Sequence, residues 1–330
     1  RYLLLGSSGA PGALPPNLQG LWAEGAKPPW GCDFHLNINL QMAYWPALPT
    51  ALSKTLAPAL RPFLARLAAS GEVAARSYYG VEGGGEGGAP WVAHGFVDAW
   101  ALAAPLGPPM WSYCVTCGAW AALLLWESFE FSRSAKELRE LWPLLHGATA
   151  FFLALLRQRN GIGDDGTPLQ WGPSHSPENA WMDGGGATHF LAYDSALDVA
   201  VVSHTFEAAA AAADALAADR RSLSAAAAAA NAEFAAKMRE LRRRLPGGGV
   251  PAPRAAGCAA GGGGPPEQIC EWGAGAGKPA DAGHRHFSHL YPLHPGGAVS
   301  PLASPELAAA ARRALVERLR HGGGHTGWSA

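Results

Sequence analysis

The sequence predicts an all-α chain whose helices form a toroid rather than a simple bundle. Helical periodicity recurs over 39–48, 54–70, 117–130, 135–158, 195–217, 224–244 and 305–320. Nothing between these segments reads as a convincing set of β-hairpins. The connections are long and carry Trp, His, Asn and Glu, whereas the turns of a bundle are bland and typically ~2–8 residues long. Polar and aromatic loops at one end of a helical scaffold are where a site is built.

Taken in order, the first helix follows "DFHLNINLQMAYW" at 33–45. From Phe34 to Gln41 apolar and polar residues alternate, so an extended chain there puts His35, Asn37, Asn39 and Gln41 on one face. A buried face of this kind is costly unless each group is bonded to backbone or to a polar ligand. The segment from 117 opens on the apolar "CGAWAALLLW". The Ala tracts at 207–230 predict tight helix packing. "RELRRRL" at 239–245 reads as solvated charge closing a helix C-terminus, where cations meet the helix dipole favourably. The stretch 246–266, "PGGGVPAPRAAGCAAGGGGPP", is low-complexity and is expected to be a mobile loop within a single partial domain spanning 1–330.

Composition excludes several classes. A chain of 330 residues with 48% hydrophobic and 15% charged residues buries a sizeable core. Its formal net charge of -1 gives no reason to expect a nucleic-acid partner, which needs clustered Lys and Arg. No apolar run approaches the ~18–20 residues of a membrane span, so membrane insertion is not expected. The chain begins with Arg1, and the sequence leaves the compartment open. "GGGHTGWS" at 322–329 lacks the Lys of a phosphate-binding loop. Five cysteines are too few for a disulfide scaffold, and Cys114 and Cys117, at metal or redox spacing with no second pair, read as structural.

Thirteen tryptophans are the compositional anomaly, and Trp22, Trp30, Trp91, Trp111, Trp171, Trp181, Trp272 and Trp328 sit in loops beside Gly or Pro. Singly each reads as core. Collectively they suit a carbohydrate, whose C–H faces pack on indole while its hydroxyls require amide, imidazole and carboxylate partners. "SHSPENAW" at 174–181 places one carboxylate, Glu178, between His175 and Trp181 in a Pro-braced loop. Burial against Trp would keep such a group protonated, as a general acid requires. "GHRHFSHLYPLHPG" at 283–296 carries His284, His286 and His289; the spacing allows a metal, but Arg285 between the first two argues for a polar sugar-binding cluster instead.

"LPPNLQGLWAEGAKPPWGCDFHLNINLQMAYWPA", "WVAH", "SPEN", "HRHFSHLYPLHPG" and "GGGHTGWS" occur in the order found in glycoside hydrolase family 95, and the chain resembles that family over nearly its whole length. The resemblance implies an (α/α)6 barrel and an inverting α-L-fucosidase releasing terminal, α1,2-linked fucose from a glycan, with no cofactor and no metal. It implies Glu178 as general acid, Asn37 and Asn39 flanking the attacking water, and His35, His94, Trp111, Arg285 and His286 holding the sugar. Ala43 stands where the family usually has Asn, and Gly95 where a second His is common. Family members continue beyond the final motif to an Asp that polarises the catalytic amide and carry a β-sandwich before the helices. The chain is therefore expected to be an incomplete toroid. An α-L-galactosidase of the same family and a non-catalytic sugar-binding relic are the alternatives.

Overall fold

A computed structural model of the chain describes residues 1–83, 87–161, 166–219, 224–254 and 267–327. The architecture is all-α. The helices are α1 (Tyr2–Ser8), α2 (Asn39–Tyr44), α3 (Arg61–Tyr79), α4 (Pro109–Ser112), α5 (Cys117–Ser132), α6 (Ala135–Asn160), α7 (Ala196–Ala218), α8 (Ala225–Arg244) and α9 (Pro305–Arg320). The strands are two-residue pieces: β1 (Phe34–His35) pairs with β2 (Phe96–Val97), β3 (Ser174–His175) with β6 (Leu191–Ala192), and β4 (Trp181–Met182) lies between β5 (Thr188–His189) and β7 (Lys278–Pro279). All pairings are antiparallel. The β4–β5 hairpin was not expected from the sequence; two residues are too few for a period-2 signal to register.

The chain divides into two compact units. Unit 1 holds Arg1–Gly107, Ser112–Leu155 and Thr205–Met238; unit 2 holds Pro108–Trp111, Leu156–His204 and Arg239–Ala330.

In unit 1, α5 is apolar on nearly every side and is buried from Cys117 through Trp126, as a core helix should be. Three helices close around the extended segment that carries Trp91. Gly71 of α3, Gly118 of α5 and Gly147 of α6 each face it: a Cβ on Gly118 would lie 2.7 Å from the Trp91 ring, one on Gly71 2.7 Å from Val92 O, and one on Gly147 would run into the Ala89 carbonyl. The helix backbones bond the segment directly, Trp91 N to Gly147 O (3.3 Å), Val92 N to Gly71 O (3.3 Å) and Gly118 N to Ala93 O (3.1 Å). The Trp91 indole donates to Leu144 O at 2.8 Å. Cys114 and Cys117 are joined as a disulfide at the entrance to α5, both buried, which gives the structural role expected of them a covalent form.

In unit 2, α9 packs its small residues Ala310, Ala311 and Ala314 against Ile269 and Leu290, with Phe287, Leu293 and Leu315 around them. The basic end of α8 is not simply solvated, in contrast to the sequence reading. Arg244 is buried, donating to Thr167 O (2.9 Å) and to Glu240 (2.8 Å), and Arg242 donates to Ser203 Oγ (3.0 Å). The loop before α7 and α7 itself offer the carbonyl and hydroxyl which these guanidinium groups satisfy. Of 246–266, Pro246–Gly249 form a short 3-10 turn and Arg254 bridges to Gln268, while 255–266 lie outside the described residues.

One expectation about apolar runs is corrected. The 23 residues of α7 are long and apolar enough, by length and composition, to cross a bilayer, and 83% of their most apolar window is buried inside the protein. Its alanines, read as packing surface, supply that length.

The crowding at Trp91 yields a prediction of sign. Ala normally exceeds Gly in a helix interior by roughly 0.5–1 kcal/mol. Gly118→Ala and Gly147→Ala are instead expected to destabilise, by about 1–3 kcal/mol through overpacking. The denaturant midpoint measures this, and a raised midpoint would contradict the packing described.

Candidate active site

The opening polar stretch is not one extended face. After β1 the chain turns, Leu36 N bonding Gly95 O at 2.7 Å, and α2 begins at Asn39. The alternation is broken because β2 offers only two residues to pair with, so β1 ends at His35. Each polar group finds its own setting. His35 Nε2 lies 2.9 Å from Asp33 Oδ1, with its ring stacked on Phe96, centroids 4.2 Å apart. Gln41 Nε2 donates to Leu36 O at 2.6 Å, bracing the turn from the helix side. Asn37 is buried, while Asn39, the first residue of α2, is half-buried and has no hydrogen-bond partner for its amide among the described residues.

His94 lies in the same unit but serves the scaffold. It is fully buried, with Nδ1 2.7 Å from Ala103 O and Nε2 2.7 Å from Tyr79 Oη. A carbonyl only accepts, so Nδ1 carries the proton and Nε2 accepts the phenol hydrogen. Burial holds the imidazole below its ordinary value, partly offset by the Ala103 carbonyl. Both ring nitrogens are used within the protein, which leaves none for a sugar hydroxyl.

Unit 2 builds a site around Glu178. Ser174 and His175 form β3, and the buried Asp198 in the first turn of α7 accepts from Ser174 Oγ (2.8 Å) and His175 N (3.1 Å). Ser195 Oγ donates to His175 O at 2.8 Å. Just beyond, Ser176 Oγ and Asn179 Nδ2 both reach the buried carboxylate of Glu271, each at 2.8 Å. Between these anchors Glu178 pairs with the Arg285 guanidinium; its side chain is 8% exposed and that of Arg285 34%. The Trp181 ring stacks on His189, centroids 4.4 Å apart, and Arg285 supplies the charged partner. Arg285 pairs with a carboxylate, yet its other nitrogen lies 3.4 Å from His284 Nε2, so its positive charge still stands among the histidines.

The histidine loop is anchored by Arg318 of α9. Its guanidinium donates to Glu271 (2.8 Å), to His284 O (3.1 Å) and to His286 O (3.4 Å). His284 is pushed down to about 3, first by burial and then by the neighbouring Arg285 and Arg318. His286 is held well below its ordinary value by burial, then by His284 and Arg285, and its ring is bonded to the Pro177 backbone. His289 is likewise depressed by burial and by Arg318. These imidazoles are neutral near neutral pH, each able to donate and to accept. Among the described residues no group of three or more His, Cys, Asp or Glu side chains is placed to hold a metal ion. Trp111, in the short α4, is 38% exposed, and its neighbour Met110 accepts at its carbonyl from His175 Nε2 at 3.1 Å.

The glycosyl hydrolase family 95 catalytic domain matches the chain over residues 1–330. The chain belongs to this family. It is 33% identical to alpha-L-fucosidase 2 of Arabidopsis thaliana over 333 residues, an alignment covering 100% of this chain and 35% of that protein. It is 35% identical to the probable alpha-fucosidase A of Aspergillus niger over 180 residues, 54% of this chain and 22% of that one. The chain thus spans about a third of the length of the Arabidopsis relative.

Within this family 95 chain, the structure brings Glu178, Arg285 and His286 together in unit 2, and His35, Asn37 and Asn39 along one turn of unit 1. Of the loop tryptophans, Trp91, Trp171 and Trp272 are core, Trp22, Trp30 and Trp111 are exposed, Trp181 is half-buried, and Trp328 lies outside the described residues with the end of its motif. Sequence reasoning missed Asp198, Glu271 and Arg318. A signal existed for two of them. Glu271 is a lone charge between Cys270 and Trp272, and Arg318 falls on the buried stripe of α9, four residues past Ala314.

The depressed histidines set the acid stability. In the unfolded chain a histidine titrates near ~6.5. His175 and His204 titrate near about 4 when folded, both because of burial, with Arg242 adding to the effect at His204. Between these values the unfolded chain binds more protons, so stability falls as pH drops from about 6.5 toward 4, by roughly 1.4 kcal/mol per pH unit for each such group. Thermal midpoints from pH 7.5 to 4.5 are expected to follow that slope, and His204→Asn to make it shallower. A flat profile would refute the neutral, buried assignment.

Proposed function

We propose that the protein containing this chain is an inverting glycosidase that releases terminal L-fucose from α-linked, in particular α1,2-linked, fucosyl glycans. The observation that carries the reading is Glu178: one nearly buried carboxyl on a loop fixed on both flanks, beside a guanidinium that is one-third exposed. The relatives named as fucosidases support the sugar. Glu178 is assigned as the proton donor to the leaving oxygen, a role that requires the Arg285 guanidinium, which favours the carboxylate form, to turn from Glu178 to a sugar hydroxyl when substrate binds. Asn39, with Asn37, is assigned to positioning the water for attack on the opposite face, which inverts the anomeric centre. An amide is a poor base and needs a carboxylate to polarise it. Asp33, whose Oδ1 lies 2.9 Å from His35 Nε2, and Asp281, which accepts from Gly283 N at 2.9 Å, are not assigned that role. Arg285, His286, His35 and Trp111 are assigned to the sugar, the first three for hydroxyls and the indole for a C–H face.

In the full-length protein, Glu178→Gln is expected to lower kcat on an unactivated fucosyl disaccharide by about 10²- to 10⁴-fold, the usual worth of a positioned acid. Binding of free fucose is expected to change little. A variant with the wild-type rate would sink the assignment of the acid. Treatment with a strong chelator is expected to leave the rate unchanged, since general acid chemistry needs no metal. Loss of activity restored by one divalent ion would overturn that part of the reading.

A further inference from the structure

We infer that Glu271 and Arg318 are positioning residues for the Glu178 carboxyl, a single buried ion pair that holds both loops meeting at that group; the inference rests on the reading of Glu178 as the proton donor. The bonding is symmetric about the two loops. Glu271 Oε1 accepts from Ser176 Oγ and Oε2 from Asn179 Nδ2, so the carboxylate grips the residues two before and one after Glu178. Arg318 Nη1 donates to the carbonyls of His284 and His286, the residues on either side of Arg285. Arg318 Nη2 and Glu271 Oε2 close the pair at 2.8 Å. The two flanked residues, Glu178 and Arg285, are themselves bonded to each other.

The cost of such an arrangement argues for a use. Side chains of 2% and 5% exposure have lost their hydration, and a buried ion pair is often no more stabilising than apolar residues of the same size. What apolar residues cannot do is bond two hydroxyl or amide donors on one loop and two carbonyls on another. The guanidinium fork can, because its donors leave one rigid plane in several directions, whereas an ammonium is a point charge. A proton donor has to lie within about 2.6–3.2 Å of the oxygen it serves, and a displacement of about 1 Å can cost 10²-fold. Loosening this brace therefore displaces the proton donor first; Arg318 also holds the loop of Arg285 and His286, assigned to the sugar, so a smaller loss falls on every substrate. The amides assigned to the water belong to the other unit.

That difference separates a positioning role from a merely structural one. In the full-length protein, Arg318→Lys and Glu271→Gln are compared with wild type on an unactivated fucosyl disaccharide and on fucosyl fluoride, whose fluoride departs without a proton. Each variant is expected to lose about 10- to 10²-fold in kcat/KM on the disaccharide and less than about threefold on the fluoride. Equal losses on both substrates, or none on either, would overturn the inference. Should either variant fail to fold, Ser176→Ala removes one arm while leaving the ion pair, and it is expected to show the same preference at several-fold size; its absence counts equally against the proposal. Glu178→Gln run alongside tells the two readings apart. If it discriminates between the substrates and the brace variants do not, the positioning role fails. If Glu178→Gln itself does not discriminate, the assignment of the acid fails.

Discussion

An extended segment passing among helices has to satisfy its peptide groups on backbones that have already used their own, and unit 1 is arranged around that constraint. From Ala89 to Val97 the chain bonds Gly147 O, Gly71 O and Gly118 N, then Ser112 O through Gly95 N, and finally pairs with β1. Bonds of this length require backbone contact, so the three helices present glycine where it passes. The position of α3, α5 and α6 and the place of the polar turn at 35–39 are thus one packing problem. His94, on this segment, uses both ring nitrogens to fasten it to Tyr79 and Ala103.

Unit 2 adds buried charge to close backbone approach. Gly277 and Gly283 leave no room for a Cβ beside the Met182 and His321 carbonyls, Leu169 N bonds the Arg244 carbonyl at the end of α8, and buried carboxylates bond the loop of Glu178. Asp198 fixes the start of the Glu178 loop and Glu271 its end. A buried carboxylate accepting several hydrogen bonds fixes more geometry than an apolar contact, because each oxygen demands donors in defined directions. Leaving it short of donors is correspondingly expensive.

The helices were legible because a 3.6-residue period survives in any element long enough to bury one face: the segments at 117–130, 135–158, 195–217, 224–244 and 305–320 lie within a few residues of α5 to α9. The sequence singled out Glu178, Arg285, His286 and the amides as candidates, but the contacts each of them makes were not legible. Local alternation at 34–41 reports what an isolated strand would do, and it cannot see that β2 supplies only two residues to pair with. Nor can a loop tryptophan declare its fate. Trp91 is swallowed because three distant glycines make room for it, and Trp111 is exposed because α4 is a single turn. His94 looked like a ligand for the same reason, its true partners lying 15 and 9 residues away. Glu271 and Arg318 escaped because a charge in a loop, or among the other charges of a helix end, looks solvated until its partner, 47 residues away, is found.

The electrostatics of the histidine loop narrow what the surface near Glu178 suits. Burial, with Arg285 and Arg318 at His284 and with His284 and Arg285 at His286, keeps both imidazoles uncharged, so Arg285 faces the carboxylate as a cation among neutral imidazoles. A second positive charge beside it would favour an anionic ligand, and the depressed histidines prevent that over the whole neutral range. Neutral imidazole and amide groups each donate and accept, as hydroxyl groups do, whereas ammonium and carboxylate groups do only one. The same burial that keeps the imidazoles neutral also makes them acid-labile, so the charge state of the loop and the acid limit of unit 2 depend on the same residues.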